Sequence, residues 1–275
     1  MSGSHLDSVP NGGHFDGVLG VLVALEVVEA WKETGYQPNK PYEVVIFTDE
    51  EGARFNGGFH GSEAMTGQYE LDQILKQKDG SGLSFEEVLE DIGLSVEGYT
   101  QAKRQQNEIE MFVEVHIEQG KRLEQKNLPC GIVTGIAGPC WLELIFEGQA
   151  AHAGTTSMDQ RQDALLAASE CYVSINPLPM KINDSAVLTV GKCHVEPNGV
   201  NVIAGRVTMY VDIRDIHEDI RDQIVNQVIE IGEMIAKKHN VKFSYKELMR
   251  VKPTLIQEKY QNLLKDACLE NGVEP

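Results

Sequence analysis

Ser4-His5-Leu6-Asp7-Ser8-Val9-Pro10-Asn11-Gly12-Gly13-His14-Phe15-Asp16-Gly17-Val18-Leu19-Gly20 places ligand-type side chains in a turn-rich segment just ahead of an apolar run. Proline and the glycines mark a loop by their turn chemistry. The run from Val18 to Thr34, stopped by Gly35, reads as a helix, and Asp16 is placed to cap it. Its spacing of three and four predicts that Val18, Leu22, Leu25 and Val28 face a core. Capping accounts for Asp16 but leaves His5 and Asp7 without a role. Met1-Ser2-Gly3-Ser4-His5 also has the look of an expression tag, which would remove His5 from consideration.

Further along, the strand-like run Tyr42 to Thr48 empties into Asp49-Glu50-Glu51-Gly52. In α/β sheets, working residues collect just past the carboxyl ends of strands. Adjacent side chains diverge, so one glutamate can bind a metal while its neighbour handles a proton. A second run, Met111 to Ile117, carries His116 near its end and is followed by Glu118-Gln119-Gly120. His, Asp and Glu suit zinc, manganese, cobalt or nickel. Together these residues point to a site for two divalent metal ions, with Asp16 able to bridge through its two oxygens.

Seven motifs carry a resemblance. They are Gly-Ser-His-Leu-Asp-Ser (3 to 8), Asn-Gly-Gly-His-Phe-Asp-Gly (11 to 17), Glu-Glu-Gly-Ala-Arg-Phe (50 to 55), His-Ile-Glu-Gln-Gly (116 to 120), Gly-Ile-Ala-Gly-Pro (135 to 139), Ala-His-Ala-Gly-Thr-Thr (151 to 156) and Asp-Ile-Arg-Asp (212 to 215). In this order they resemble the metal-dependent amidohydrolases of the hydantoinase/carbamoylase family. That family contains N-carbamoyl-L-amino-acid hydrolases, allantoate amidohydrolases and β-ureidopropionases, within the wider M20 peptidase group. The resemblance disposes of the tag reading for His5.

The same resemblance implies that His5 and His116 hold one metal, that Glu51 holds the other with a later histidine, and that Asp16 bridges them. Asp7 would hydrogen-bond the His5 ring nitrogen that is not on the metal. Glu50 would be the general base. His152 would reach the partner subunit's site and donate to the oxygen that gains charge, an oxyanion role. Asn201 and Arg214 would grip a substrate carboxylate, Arg214 through its bidentate fork, and Gln119 would contact the amide-like end. Asp49 is expected to be an exposed carboxylate at a strand end. His14, His60 and His194 are expected to be surface or structural.

The chain has 275 residues, 41% of them apolar, and a formal net charge of −18. That charge opposes binding to nucleic acid or to anionic membranes. No apolar run approaches the roughly 18 residues of a membrane span, and no signal pattern opens the chain, so a cytoplasmic protein is expected. The five cysteines, Cys130, Cys140, Cys171, Cys193 and Cys268, include no Cys-x-x-Cys pair and argue against a disulfide framework or a thiolate site.

Residues 1 to 136 read as α/β, with Ser84-Phe85-Glu86-Glu87 as a capping box and 97 to 108 as a solvated linker or surface helix. From Trp141 the pattern is strand (to Glu147), helix (Asp159 to Ile175), strand (Ala186 to Val195), strand (Arg206 to Arg214), helix (Ile216 to His239), strand (Lys242 to Leu248). That is the βαββαβ order of a ferredoxin-like α+β layer. The expected fold class is α/β in residues 1–136 and again in 249–275, where Tyr260 to Cys268 reads as helical, and the resemblance makes this part metallopeptidase-like with a mixed sheet. Residues 137–248 would be an inserted domain, and the resemblance makes it the dimerisation domain of a homodimer. No counterpart of the later histidine or of the strands that precede His5 in the family is found, which predicts an internal fragment of a longer enzyme.

The expected activity is hydrolysis of the carbamoyl C–N bond of N-carbamoyl-L-amino acids, a small-molecule reaction. Allantoate and β-ureidopropionate hydrolysis are the alternatives, and a non-catalytic remnant that keeps only the dimerisation module is the reading of another class.

Overall fold

β1 (Ser2–His5) leads through the ligand-rich loop into α1 (Val18–Thr34), which returns the chain to β2 (Val44–Phe47). β1 and β2 run parallel, with His5 opposite Phe47; parallel neighbours need such a crossover. A third segment runs along β1 in the same direction, Val113 bridging Ser2 and donating its amide to Met1 O at 3.1 Å. The expected strand from Met111 to Ile117 is thus one bridge long. Beyond Val113 the link is made by side chains, Ser4 Oγ to the Glu114 carboxylate, rather than by a main-chain ladder. The chain is described from a computed structural model that covers residues 1–55 and 57–275. It forms two compact units, Met1–Arg122 and Leu123–Pro275.

α1 buries Gly20, Val21 and Ala24. The expected inward face is corrected, since Leu22 is 57% and Leu25 49% exposed. Nearly every position from Val18 to Leu25 is apolar, so periodicity does not select a face. Close approach does: a Cβ on Gly20 would stand 2.5 Å from Val115 O and 2.8 Å from Ser4 Cβ. The small-residue side therefore lies on the strands.

The rest of the first unit is helical: α2 (His60–Thr66), α3 (Leu71–Ile74), α4 (Phe85–Asp91) and α5 (Val96–Gln101). These enclose a small core of Phe55, Ile74, Phe85, Val88 and Leu89. The capping box forms as expected, with Ser84 N–H donating to Glu87 Oε2 at 2.7 Å and Ser84 Oγ accepting the Glu87 amide.

The second unit begins within α6 (Arg122–Lys126). Its strands are β3 (Gly135–Ile136), β4 (Gly138–Glu147), β5 (Ala151–His152), β6 (Val187–Glu196), β7 (Val202–Ile203), β8 (Arg206–Asp215), β9 (Lys242–Arg250) and β10 (Thr254–Leu255). Its helices are α7 (Ala164–Ile175), α8 (Leu178–Ile182), α9 (Glu218–Lys238) and α10 (Glu258–Glu270). The main sheet has the order β6-β8-β4-β9, antiparallel throughout. With α7 and α9 between its strands in sequence, this is the βαββαβ order read from periodicity. α7 begins at Ala164 rather than Asp159, because the Asp163 carboxylate caps it by accepting the amides of Leu165 and Leu166 at 2.9 and 3.1 Å.

Alternation builds the core. Cys140, Leu142, Leu144 and Phe146 of β4, and Val207, Met209, Val211 and Ile213 of β8, are buried with Ala164, Ala167, Ala168 and Cys171 of α7 and Ile224, Val225 and Val228 of α9. Each large apolar side chain buried this way contributes about 1.5–3 kcal/mol. Arg221 on α9 is fully buried, and its guanidinium donates to Gly138 O and Val251 O, holding the start of β4 to the end of β9. β3 and β10, on either side of this layer in sequence, pair antiparallel with each other. No helix among the described residues is long and apolar enough to cross a membrane.

Candidate functional site

Parallel segments align their carboxyl ends, so β1, β2 and the Val113 segment deliver His5, Glu50–Glu51 and His116 to one edge. The loop into α1 brings Asp16 there as well. Ligand atoms of His5, Asp16 and His116 lie within 4.8 Å of one another, and so do those of His5, Glu50 and Glu51.

His5 is 4% exposed. Its ring lies against the backbone at the start of α1, where Gly17 has φ 67° and a Cβ would fall 2.5 Å from ring atoms. Only glycine fits that approach. His5 Nδ1 is 2.8 Å from Asp7 O, and His116 Nδ1 is 2.8 Å from Ile117 O. A carbonyl only accepts, so each Nδ1 carries the proton and donates it. In the neutral imidazole this leaves each Nε2 as an acceptor facing the cluster, the arrangement that metal-ligating histidines adopt.

Asp16 is not the cap of α1. Gly17 occupies that position without a side-chain cap, and Asp16 supplies its main-chain oxygen to Val18 N–H at 2.7 Å. The carboxylate turns inward instead. Oδ2 accepts from Gln119 Nε2 at 2.9 Å, and Oδ1 stands 3.1 Å from His116 Nε2. Oδ1 is buried with no hydrogen-bond donor. A buried carboxylate oxygen without a donor is costly unless a cation meets it. Gln119 thus braces Asp16 here.

Asp7 bonds the His5 ring nitrogen as expected, but through its backbone. The His5 ring proton goes to its main-chain oxygen, while its carboxylate lies 3.7 Å from that ring nitrogen. The carboxylate accepts the amides of Glu50 at 3.3 Å and Glu51 at 3.0 Å, fastening the turn that carries both glutamates.

Burial pushes the Glu50 carboxyl above the ordinary carboxylate range; His5 opposes the shift, and Glu51 and Asp7 add to it. Glu51 is raised by burial and then by the neighbouring charge of Asp16. His5 Nε2 is 3.7 Å from Glu50 Oε2. Crowded carboxylates with two imidazoles form a nitrogen-and-oxygen donor set of the kind that holds zinc, manganese, cobalt or nickel. The orphaned Asp16 Oδ1 and the two free Nε2 atoms fit such ions.

Asp49 is the residue sequence reasoning missed. Rather than an exposed strand-end group, its side chain is 15% exposed, with Oδ2 2.9 Å from His60 Nδ1. His60 is structural, as expected, and 4% exposed. The available signal was the position of Asp49, next to the glutamate pair. His14 and His194 are on the surface.

The remaining predicted residues belong to the second unit. His152 of β5 pairs with Val202 of β7, and Asn201 O accepts the amide of Ala153 at 2.9 Å, so His152 and Asn201 are neighbours on one short ladder. Arg161 donates to Ala153 O at 2.7 Å and braces the loop that follows. Arg214 is on β8, its guanidinium bound to both oxygens of Asp212 at 2.7–3.1 Å. The cysteines are free, with Cys130 and Cys268 Sγ 4.0 Å apart.

The sequence matches the model of peptidase family M20/M25/M40 over residues 1–275. It is 42% identical over 275 residues to an N-carbamoyl-L-amino acid amidohydrolase of Geobacillus stearothermophilus, covering 100% of this chain and 67% of that protein. It is 37% identical over 272 residues to an allantoate amidohydrolase of Bacillus subtilis (strain 168), covering 99% and 66%. The structure resembles an amidase of the hydantoinase/carbamoylase family from Burkholderia multivorans with a TM-score of 0.88 at 34% identity, covering 99% of this chain and 65% of that one. The chain thus spans about two thirds of the length of these relatives.

Proposed function

Because this chain belongs to peptidase family M20/M25/M40, we propose that it carries the greater part of an amidohydrolase acting on the carbamoyl C–N bond of N-carbamoyl-L-amino acids. The products are the amino acid, ammonia and carbon dioxide. The observation that carries the reading is the convergence at one sheet edge of two ligand sets that share His5, one with Asp16 and His116 and the other with Glu50 and Glu51. The likeness to a carbamoyl-amino-acid hydrolase over the whole chain points the chemistry to the ureido group.

His5, His116, Asp16 and Glu51 would hold two divalent ions, whose chemistry when bound is to acidify water and polarise a carbonyl. Glu50 takes the proton of the attacking water, its carboxyl already raised by burial toward the range a general base needs. Asp7 fixes the turn so that Glu50 and Glu51 diverge, one toward the proton and one toward the ligand set. Gln119 holds Asp16 in the orientation that leaves Oδ1 directed at His116.

Residues 1–136 and 249–275 form the catalytic domain in this proposal, and 137–248 a ferredoxin-like insertion that makes a homodimer. Pairing of β3 with β10 supports the insertion, since the chain enters and leaves the layer side by side. His152 then donates to the developing oxyanion in the partner subunit, with Asn201 beside it, while Arg214 exchanges Asp212 for the substrate carboxylate.

Allantoate is the second reading, favoured by the 37% identity to the Bacillus subtilis enzyme. Turnover of N-carbamoyl-methionine, allantoate and N-carbamoyl-β-alanine by the intact protein separates the options. Preference for the first is expected, and turnover of none of the three would refute the proposal.

A further inference from the structure

Asp49 has φ 50°, in the left-handed region, at the residue where β2 gives way to the glutamate pair. Aspartate adopts that region more readily than most side chains, at a cost that its surroundings offset. Asp49 Oδ2 lies 2.9 Å from His60 Nδ1, at ion-pair distance, and both are buried atoms that make no hydrogen bond with any described residue, so each is the only group that answers the other. The His60 ring is itself held: it stacks on Phe85 with centroids 5.2 Å apart, meets Phe55 edge-on at 5.9 Å, and places Nε2 3.3 Å from Gln77 Oε1. Two main-chain bonds tie the same segments, Phe59 N–H to Glu50 O at 3.0 Å and Gly61 N–H to Thr48 O at 2.9 Å.

We infer that His60 is a positioning residue for Glu50 and Glu51, acting through Asp49. The inference rests on the reading of Glu50 as proton acceptor and Glu51 as metal ligand. The turn is gripped from two sides: the Asp7 carboxylate takes the amides of Glu50 and Glu51, and His60 holds the side chain of the residue before them. The His60 grip is anchored in the small aromatic core, so it transmits the rigidity of that core to the catalytic turn. Aspartate at 49 and histidine at 60 are thereby a matched pair whose contact sets where two carboxylates point.

Two substitutions in the intact protein separate this role from packing. His60→Phe keeps an aromatic ring against Phe85 but removes the nitrogen facing Asp49. His60→Asn loses the ring but places an amide nitrogen where Nδ1 stood. Positioning predicts that His60→Phe lowers kcat by about 10²-fold with KM little changed, the cost of a small misplacement. It also predicts weaker Co²⁺ binding and faster hydrogen–deuterium exchange over residues 49 to 52 in the metal-free protein, with His60→Asn recovering most of each. If His60→Phe matches wild type, or His60→Asn is the worse of the two, His60 only packs and the inference is overturned. If His60→Phe fails to fold, Asp49→Ala tests the same contact from its other end, with the same exchange and Co²⁺ readouts. Glu50→Gln serves as the control: full turnover by that variant would refute the general-base reading, while the exchange result would still decide the positioning.

Discussion

Nε2 of His116 stands 3.1 Å from Oδ1 of Asp16, a buried carboxylate oxygen that receives no hydrogen bond. The two come from distant parts of the chain, and each is oriented by a different neighbour, Ile117 O for the ring and Gln119 Nε2 for the carboxylate. Both groups are thereby presented to a common point, which is what a shared cation requires.

The bracing by Gln119 can be tested directly. Gln119→Leu removes the donor to Asp16 Oδ2. Supporting groups of this kind are worth about 10- to 100-fold in metal affinity. Titration of the metal-free protein with Co²⁺, followed by its visible absorption, should show a loss in that range. Unchanged affinity would return Gln119 to the substrate-contact role expected from resemblance.

Glu50→Gln and Glu51→Gln should fail differently. The first is expected to lower turnover by about 10²- to 10⁴-fold, the usual worth of a general base, with metal content retained. The second is expected to lose metal. Metal analysis by mass spectrometry alongside kinetics distinguishes them, and equal metal loss in both would end the division of labour.

If the proposed homodimer forms, a mixture of His152→Ala and Glu50→Gln subunits tests action in trans. Each variant is expected to be nearly inactive alone, the first by the roughly 10²- to 10³-fold that an oxyanion donor is worth. After subunit exchange, a mixed dimer has one site lacking both groups and one site with both, so activity should climb toward half that of wild type. Mixed dimers that form but stay inactive would place His152 in its own subunit's chemistry or outside catalysis.

Stability should depend on pH through His60. Burial works to lower its pKa, but the contacts with Asp49 and then Gln77 carry it above the ordinary imidazole value. The folded form therefore holds a proton that the unfolded chain releases. This contribution is fully present below the unfolded pKa and is lost as pH rises through the folded one. Urea denaturation at about pH 6 and about pH 8 should show wild type losing more stability over this window than His60→Phe, the side chain that cannot titrate. Identical pH dependence in both would exclude His60 as the source.

Arg221 is fully buried and donates to Gly138 O and Val251 O. Arg221→Leu strands both carbonyls, each at a cost of about 1–3 kcal/mol. A loss of several kcal/mol is expected in chemical denaturation, and a change below about 0.5 kcal/mol, typical of surface substitutions, would show that water replaces the guanidinium.

Much of this protein was legible in its sequence, and the parts that were follow from local rules. Alternation along Trp141 to Glu147 and Arg206 to Arg214 specifies two half-buried strands, because side chains on a strand repeat every two residues. The capping box at Ser84 closes through groups three residues apart. The glutamate pair after β2 and the histidine after Val113 could be placed together from the sequence because parallel segments present their carboxyl ends side by side. What only the tertiary structure decided is the direction of each polar side chain and the face of each uniformly apolar helix. Asp16 turns from the end of α1 toward His116 because Gly17, and not a side chain, admits the His5 ring. Asp7 gives its carboxylate to the amides of Glu50 and Glu51, since the parallel pairing of β1 and β2 sets their ends side by side. α1 buries Gly20 and Ala24 in place of Leu22 and Leu25, because the distance of closest approach, and not hydropathy, chose its face. These outcomes depend on contacts between residues far apart in the chain, where no local spacing carries the information.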